Sequence, residues 1–309
     1  MKNIILIAVV ILVLIGGGTY ILMSENNQLV ENESNTPTTP TSATPEMSTK
    51  EASSTPEEAA SDEPTSILGN SAGGEAITAY HFGTGETELL FIGGIHGGYS
   101  WNTSLLAFEL IDWLEENEDK VPKNVKVTII PVLNPDGLKV VTGTTGLFKA
   151  SAVNTSETVR ITGRFNANEV DINRNFDCEW ESVGTWQNRS VSGGETPFSE
   201  PESAAVKAYV EANKPATVVT WYSAAGGVYS SSCNNGISTE TKDLTNLFAK
   251  AAEYTAHEEF DYYQITGDMV NWFAGQNIPA ISVLLTNHTD TEFSKNLSGL
   301  QAMLTKYAE

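Results

Sequence analysis

The chain has 309 residues, room for one large domain or two small ones, and a hydrophobic content of 40% that can fill a core. Its 39 acidic and 17 basic residues give a formal net charge of −22, and with no basic patch to override that repulsion, nucleic acid is excluded as a partner. Two cysteines are too few for a disulfide scaffold, and the lack of a C-x-x-C pair argues against a zinc ribbon.

Residues 4–23 carry no charge. At about 1.5 Å per residue such a run spans roughly 30 Å, the thickness of a bilayer's hydrocarbon core. Residues 1–24 are therefore expected to form an N-terminal transmembrane anchor. A cleaved signal peptide is the rival, although no A-x-A-like cleavage site stands near residues 18–24. A buried soluble helix is the remaining alternative. Lys2 places the N-terminus on the cytoplasmic side, which predicts a single-pass membrane protein with an extracytoplasmic C-terminal domain. Residues 25–72 are rich in Ser, Thr, Pro and Glu. They cannot bury enough apolar surface to offset the entropy of ordering, so they are expected to be a disordered linker.

From residue 73 to 309 the pattern alternates strands and helices. Residues 88–95 (ELLFIGGI) predict a strand ending in glycines, and residues 101–116 a helix capped by Asn102, Thr103 or Ser104. Residues 125–132 (VKVTIIPV) predict a strand closed by an Asn134-Pro135-Asp136-Gly137 turn, with Asp136 shaping that turn. Helices are expected at 200–213, 242–257 and 292–307, the last capped by Glu292, and strands at 216–221 and 280–285. This order predicts an α/β fold with a mixed, largely parallel sheet flanked by helices on both faces. Sites in such sheets form in the loops beyond the carboxyl ends of the strands.

Those loops carry an ordered series: GGIHGG (93–98), PVLNPDG (131–137), GRFNANEVDINRNFD (163–177), FSEPES (198–203), WYSAAGGVY (221–229), YQITGDMVNW (263–272) and ISVLLTNH (281–288). In order and spacing it resembles the zinc carboxypeptidases, the carboxypeptidase A-like metallopeptidases, over essentially the whole predicted domain. NPDG and DINRNFD are the most specific blocks. The resemblance implies peptide hydrolysis by a zinc held on three protein ligands, with an open position for water and a carboxylate as general base.

His96 matches the first zinc ligand. Tyr99 stands at the second ligand position, Tyr222 at the third and Leu284 at the general base. Two phenols and an alkyl chain cannot replace an imidazole and two carboxylates, so no cofactor is expected and the chain reads as a pseudoenzyme. The residues matching the family's carboxylate-binding set remain: Arg164, Asn173 and Arg174, together with Tyr263 at the position of the tyrosine that closes over substrate. Guanidinium groups suit bidentate recognition of a carboxylate. The expected partner is a peptide or peptidoglycan-peptide C-terminus. The alternative is an active metallocarboxypeptidase using unidentified ligands, and a third reading is a structural domain with a closed pocket.

Each residue also has a plainer reading. Arg164 and Arg174 could form surface ion pairs, His96 could be a core histidine, and Tyr222 and Leu284 could fill the space of the metal. Leu284 would share a strand face with Ser282 and Thr286 and line the pocket. Cys178 and Cys233 are a disulfide candidate in an oxidising compartment, with two separate thiols as the alternative. A Ser-His hydrolase built from Ser100 or Ser223 with His96 or His288 has no spacing to support it, and no G-x-S-x-G or P-loop motif is present.

Overall fold

The computed structural model describes residues 63–308. The predicted anchor at residues 1–24, and the predicted linker as far as residue 62, lie outside them. No helix among the described residues is long and apolar enough to cross a membrane. In chain order the elements are β1 (Thr65–Asn70), β2 (Ala76–Phe82), β3 (Thr87–Ile92), α1 (Trp101–Glu116), β4 (Val125–Ile130), α2 (Pro135–Thr142), α3 (Glu157–Thr162), β5 (Val183–Trp186) and β6 (Arg189–Ser192). There follow α4 (Pro201–Asn213), β7 (Thr217–Ser223), β8 (Gly227–Ser230), α5 (Thr239–Ala251), β9 (Ala256–His257), α6 (Met269–Gly275), β10 (Ala280–Leu285) and α7 (Phe293–Tyr307).

Eight strands form one sheet in the order β1-β2-β4-β3-β7-β10-β8-β9, and β5 pairs with β6 as a separate hairpin. The centre, β4-β3-β7-β10, is parallel. Antiparallel pairs flank it, β1-β2-β4 on one side and β10-β8 on the other. A two-residue period sorts the central side chains into two cores. Leu89 and Phe91 of β3 join Leu106, Phe248 and Leu304 from α1, α5 and α7, whereas Leu90 and Ile92 join Val206 and Phe273 from α4 and α6. Both faces of β3 are covered, which is why LLFI (89–92) reads as an unbroken apolar run.

Several local expectations need correcting. Folded structure starts before residue 73, because Thr65–Asn70 pairs with β2 inside the expected linker. Asn102, Thr103 and Ser104 do not cap α1: Ser100 holds the N-cap position, and Asn102 instead donates to the carbonyls of Asn287 and Asp290. The NPDG block opens α2 rather than closing a turn. Asn134 caps that helix by accepting from Gly137 N, with Pro at the first position, where its missing N–H costs nothing. Asp136 ties separate loops together by accepting from Ser71 Oγ, Gly73 N and Ala167 N. The helix expected at 242–257 runs from Thr239 to Ala251, and Ala256–His257 pairs with β8 as a strand. Glu292 occupies the N-cap position of α7 but its side chain does not cap the helix; it accepts from Thr286 and Tyr254.

Cys178 and Cys233, 55 positions apart in sequence, form a disulfide with their Cα atoms 5.9 Å apart. Closing a loop of that length stabilises by about 4 kcal/mol in the chain-entropy model. Replacing both cysteines with alanine is expected to lower the unfolding free energy by about that amount, read from urea denaturation of the oxidised wild type and the variant.

Candidate functional site

The carboxyl ends of β3, β7 and β10 open into a cavity of about 960 Å³. His96 reaches it from the loop after β3, and Tyr222 and Ser223 from the end of β7. Leu284 comes from β10, where it is the direct cross-strand neighbour of Tyr222. The single 3₁₀ turn Ile172–Arg174, the β5–β6 hairpin and the segment 259–265 also line it.

Arg164 and Arg174 are buried, 2% and 1% exposed, so they are not surface ion pairs. Arg164 donates from Nε (2.9 Å) and Nη2 (2.8 Å) to Oδ2 of Asp171, and its guanidinium lies 4.3 Å from the centre of the Trp186 ring. Burial opposes the charge of Asp171, but the Arg164 and Arg174 guanidiniums outweigh it and hold the carboxyl below its ordinary value. Arg174 is held differently. It donates to the carbonyls of Thr185 (2.8 and 3.2 Å) and Asn173 (2.6 Å), and no carboxylate among the described residues forms an ion pair with it. The chain passes close over it at Gly267 (φ +61°), where a Cβ would fall 2.2 Å from the Arg174 carbonyl oxygen.

Asn173 is occupied within the fold. Its Oδ1 accepts from Tyr222 Oη (3.2 Å) and Met269 N (3.2 Å), and its Nδ2 donates to Asp268 Oδ2 (2.8 Å). Tyr263 is half-buried, lines the cavity and packs edge-on against Phe260. Ser282 and Leu284 both line the cavity, whereas Thr286 is exposed and bonded to Glu292. The fold does bring Ser223 Oγ and His288 Nδ1 together at 2.9 Å. Ser223 Oγ also lies 3.2 Å from Asn102 Oδ1. Because Asn102 Nδ2 is spent on two carbonyls, its Oδ1 takes the serine proton, and the imidazole then donates to the serine. That arrangement joins α1, the end of β7 and the loop after β10, and leaves the serine unactivated.

His96 is 6% exposed, and neither of its ring nitrogens has a hydrogen-bond partner; Nε2 faces Asp171 Oδ1 at 3.8 Å. Burial first, then the Arg164 guanidinium, keeps its imidazole well below the ordinary value and therefore neutral. A zinc here would need further donors, and the residues present do not fit one. Tyr99 packs edge-on against Trp186 and His288, with ring centres 4.8 Å apart in both cases. The Tyr222 hydroxyl is committed to Asn173, and burial followed by Asp268 pushes its phenol well above the ordinary value, away from the phenolate form. Asp171 is engaged by Arg164, and Leu284 offers no donor atom. Among the described residues no group of three or more His, Cys, Asp or Glu side chains converges as a metal cradle.

Asp171, Trp186 and Asp268 also belong to the site. Asp171 lies in the DINRNFD block, seven residues after Arg164, and Asp268 in YQITGDMVNW, so both carry a sequence signal. Trp186 meets the site only through tertiary contacts.

Burial first, then Arg160 and Arg164, lowers the His288 imidazole to about 4. A base held neutral in the fold but free to protonate when unfolded adds stability above its unfolded value near 6.5, and that stability is lost as pH falls toward 4. The urea midpoint is expected to drop between pH 7 and 4.5, with a shallower drop in His288→Gln.

The zinc carboxypeptidase family model matches residues 58–300. Carboxypeptidase O of Bos taurus is 33% identical over 110 residues, 34% of this chain and 28% of that protein. Carboxypeptidase D of Mus musculus is 27% identical over 134 residues, 41% of this chain and 8% of that protein, so the matches span only a minor part of these relatives. Among solved structures, bovine thrombin-activatable fibrinolysis inhibitor, in complex with tick carboxypeptidase inhibitor, superposes with a TM-score of 0.61 at 16% identity, covering 78% of this chain and 90% of that one. The murein-tripeptide amidase MpaA from Escherichia coli O157 superposes with a TM-score of 0.54 at 18% identity, covering 81% and 95%. The chain belongs to the zinc carboxypeptidase family.

Proposed function

We propose that this protein is a membrane-anchored, extracytoplasmic member of the family that binds the free C-terminal carboxylate of peptides and hydrolyses them poorly or not at all. The observation that carries this reading is Arg174: a buried guanidinium lining the cavity, satisfied by backbone carbonyls and lacking a carboxylate partner among the described residues. A buried cation without a counter-ion is costly, and an incoming carboxylate supplies one with charge-assisted hydrogen bonds. The fold likeness to a murein-tripeptide amidase supports cell-wall peptides as one source of such C-termini. Loss of the general base alone removes roughly 10²–10⁴-fold of rate, and loss of the metal removes activation of the water as well.

The test is titration of the full chain with short peptides whose C-termini are free or amidated. The free acid is expected to bind, the amide is not, and Arg174→Ala is expected to weaken the free acid by about 10- to 100-fold, the worth of a charged hydrogen bond. Equal binding of acid and amide would contradict the reading. The combined substitution Tyr99→Glu, Tyr222→His and Leu284→Glu is expected to create carboxypeptidase activity where the wild type has little. Full activity in the unmodified chain would favour an active enzyme that uses ligands other than these.

A further inference from the structure

The most exposed inconsistency in the pocket is His96. An imidazole that is more than nine-tenths buried normally has both nitrogens bonded, yet here both are without a partner in the protein. The family's answer would be a metal, but Tyr99, Tyr222 and Leu284 do not complete a ligand set, so a lone imidazole is left with bonding capacity that this fold does not use.

The surroundings define what that capacity is. Nε2 faces Oδ1 of Asp171, the carboxylate whose other oxygen holds Arg164. A carboxylate accepts only, so the ring proton belongs on Nε2 and Nδ1 carries a lone pair. His96 and Arg164 thus flank one carboxylate and line one cavity, the first offering an acceptor and the second, with Arg174, offering donors. A peptide C-terminus presents the complementary pair: a carboxylate and, one carbon away, the amide N–H of the last residue.

We propose that His96 Nδ1 accepts a hydrogen bond from the N–H of the terminal residue of the bound peptide, so that His96 is a ligand-recognition residue here rather than a metal ligand. The proposal rests on the carboxylate-binding reading above and deepens it: the ligand class becomes molecules with an N–H donor next to the terminal carboxylate, and C-terminal esters of hydroxy acids are discriminated against. Replacing N–H by an ester oxygen sets two lone pairs against each other in a buried site, which costs more than the loss of an exposed hydrogen bond.

The experiment titrates the full chain, purified in mild detergent with chelator present, against three probes: acetyl-Ala-Ala-Ala, its amidated form, and the ester analogue ending in lactate. The ester is expected to bind about tenfold more weakly than the free-acid peptide. In His96→Leu, which keeps the volume and removes the acceptor, the two are expected to bind alike. The ester comparison on wild-type protein stands even if the variant fails to fold. Equal affinity of peptide and ester for the wild type, or an unchanged ratio in His96→Leu, would overturn the role of His96 and leave carboxylate recognition intact. Amide binding as tightly as acid, or no binding of any probe, would overturn both. Stoichiometric zinc retained against the chelator and lost in His96→Leu would also overturn the proposal, since the metal would then own the lone pair.

Discussion

Two guanidinium groups held almost wholly out of water, with Asp171 beside them, are the constraint around which this end of the sheet is organised. Burying charge costs several kcal/mol per ion unless partners replace the lost hydration. Arg164 finds them in one carboxylate oxygen of Asp171, which accepts from both Nε and Nη2, and in an aromatic face; Arg174 finds only carbonyl dipoles, one from its neighbour and one from the β5–β6 hairpin. The hairpin therefore serves the site through both faces of its role: Thr185 O satisfies Arg174, and Trp186 covers Arg164. The Cys178–Cys233 bridge and the close pass at Gly267 tie the segment that follows Arg174 to the loops after β8 and before α6. In the proposed function these dry cations at the mouth of the parallel strands receive a carboxylate.

The residues that occupy the expected metal positions are integrated rather than vacant. Tyr222 and Leu284 sit side by side across β7 and β10, and both belong to the core cluster beneath the cavity. The phenol reaches across to Asn173, which is bonded in turn to Asp268 at the start of α6. Asn173, a residue that the family resemblance assigns to substrate, has become part of the wall. Carboxylate recognition in the proposed function consequently falls to the arginines.

Much of this was legible in the sequence, for identifiable reasons. The α1 span and the β10 span are found at the residues expected, because a strong apolar stripe and an apolar run bounded by loops leave little ambiguity. The block order located the cavity wall. The short β5–β6 hairpin escaped notice, since VGTWQNRSVS has too little alternation to stand out. The overlong helix at 242–257 failed because Glu253, with φ +56°, turns the chain out of the helix, and only packing beside β8 makes a strand of Ala256–His257. No sequence pattern could show that Tyr222 bonds to Asn173, or that both nitrogens of His96 would be left unpartnered: those facts exist only once segments distant in sequence meet.

Zinc stoichiometry decides whether His96 and its neighbours form a metal centre. After loading with excess zinc and exhaustive dialysis, elemental analysis of the full chain is expected to find well below one zinc per molecule. One zinc per chain, abolished by His96→Ala, would contradict the account and restore a working metal centre to this pocket.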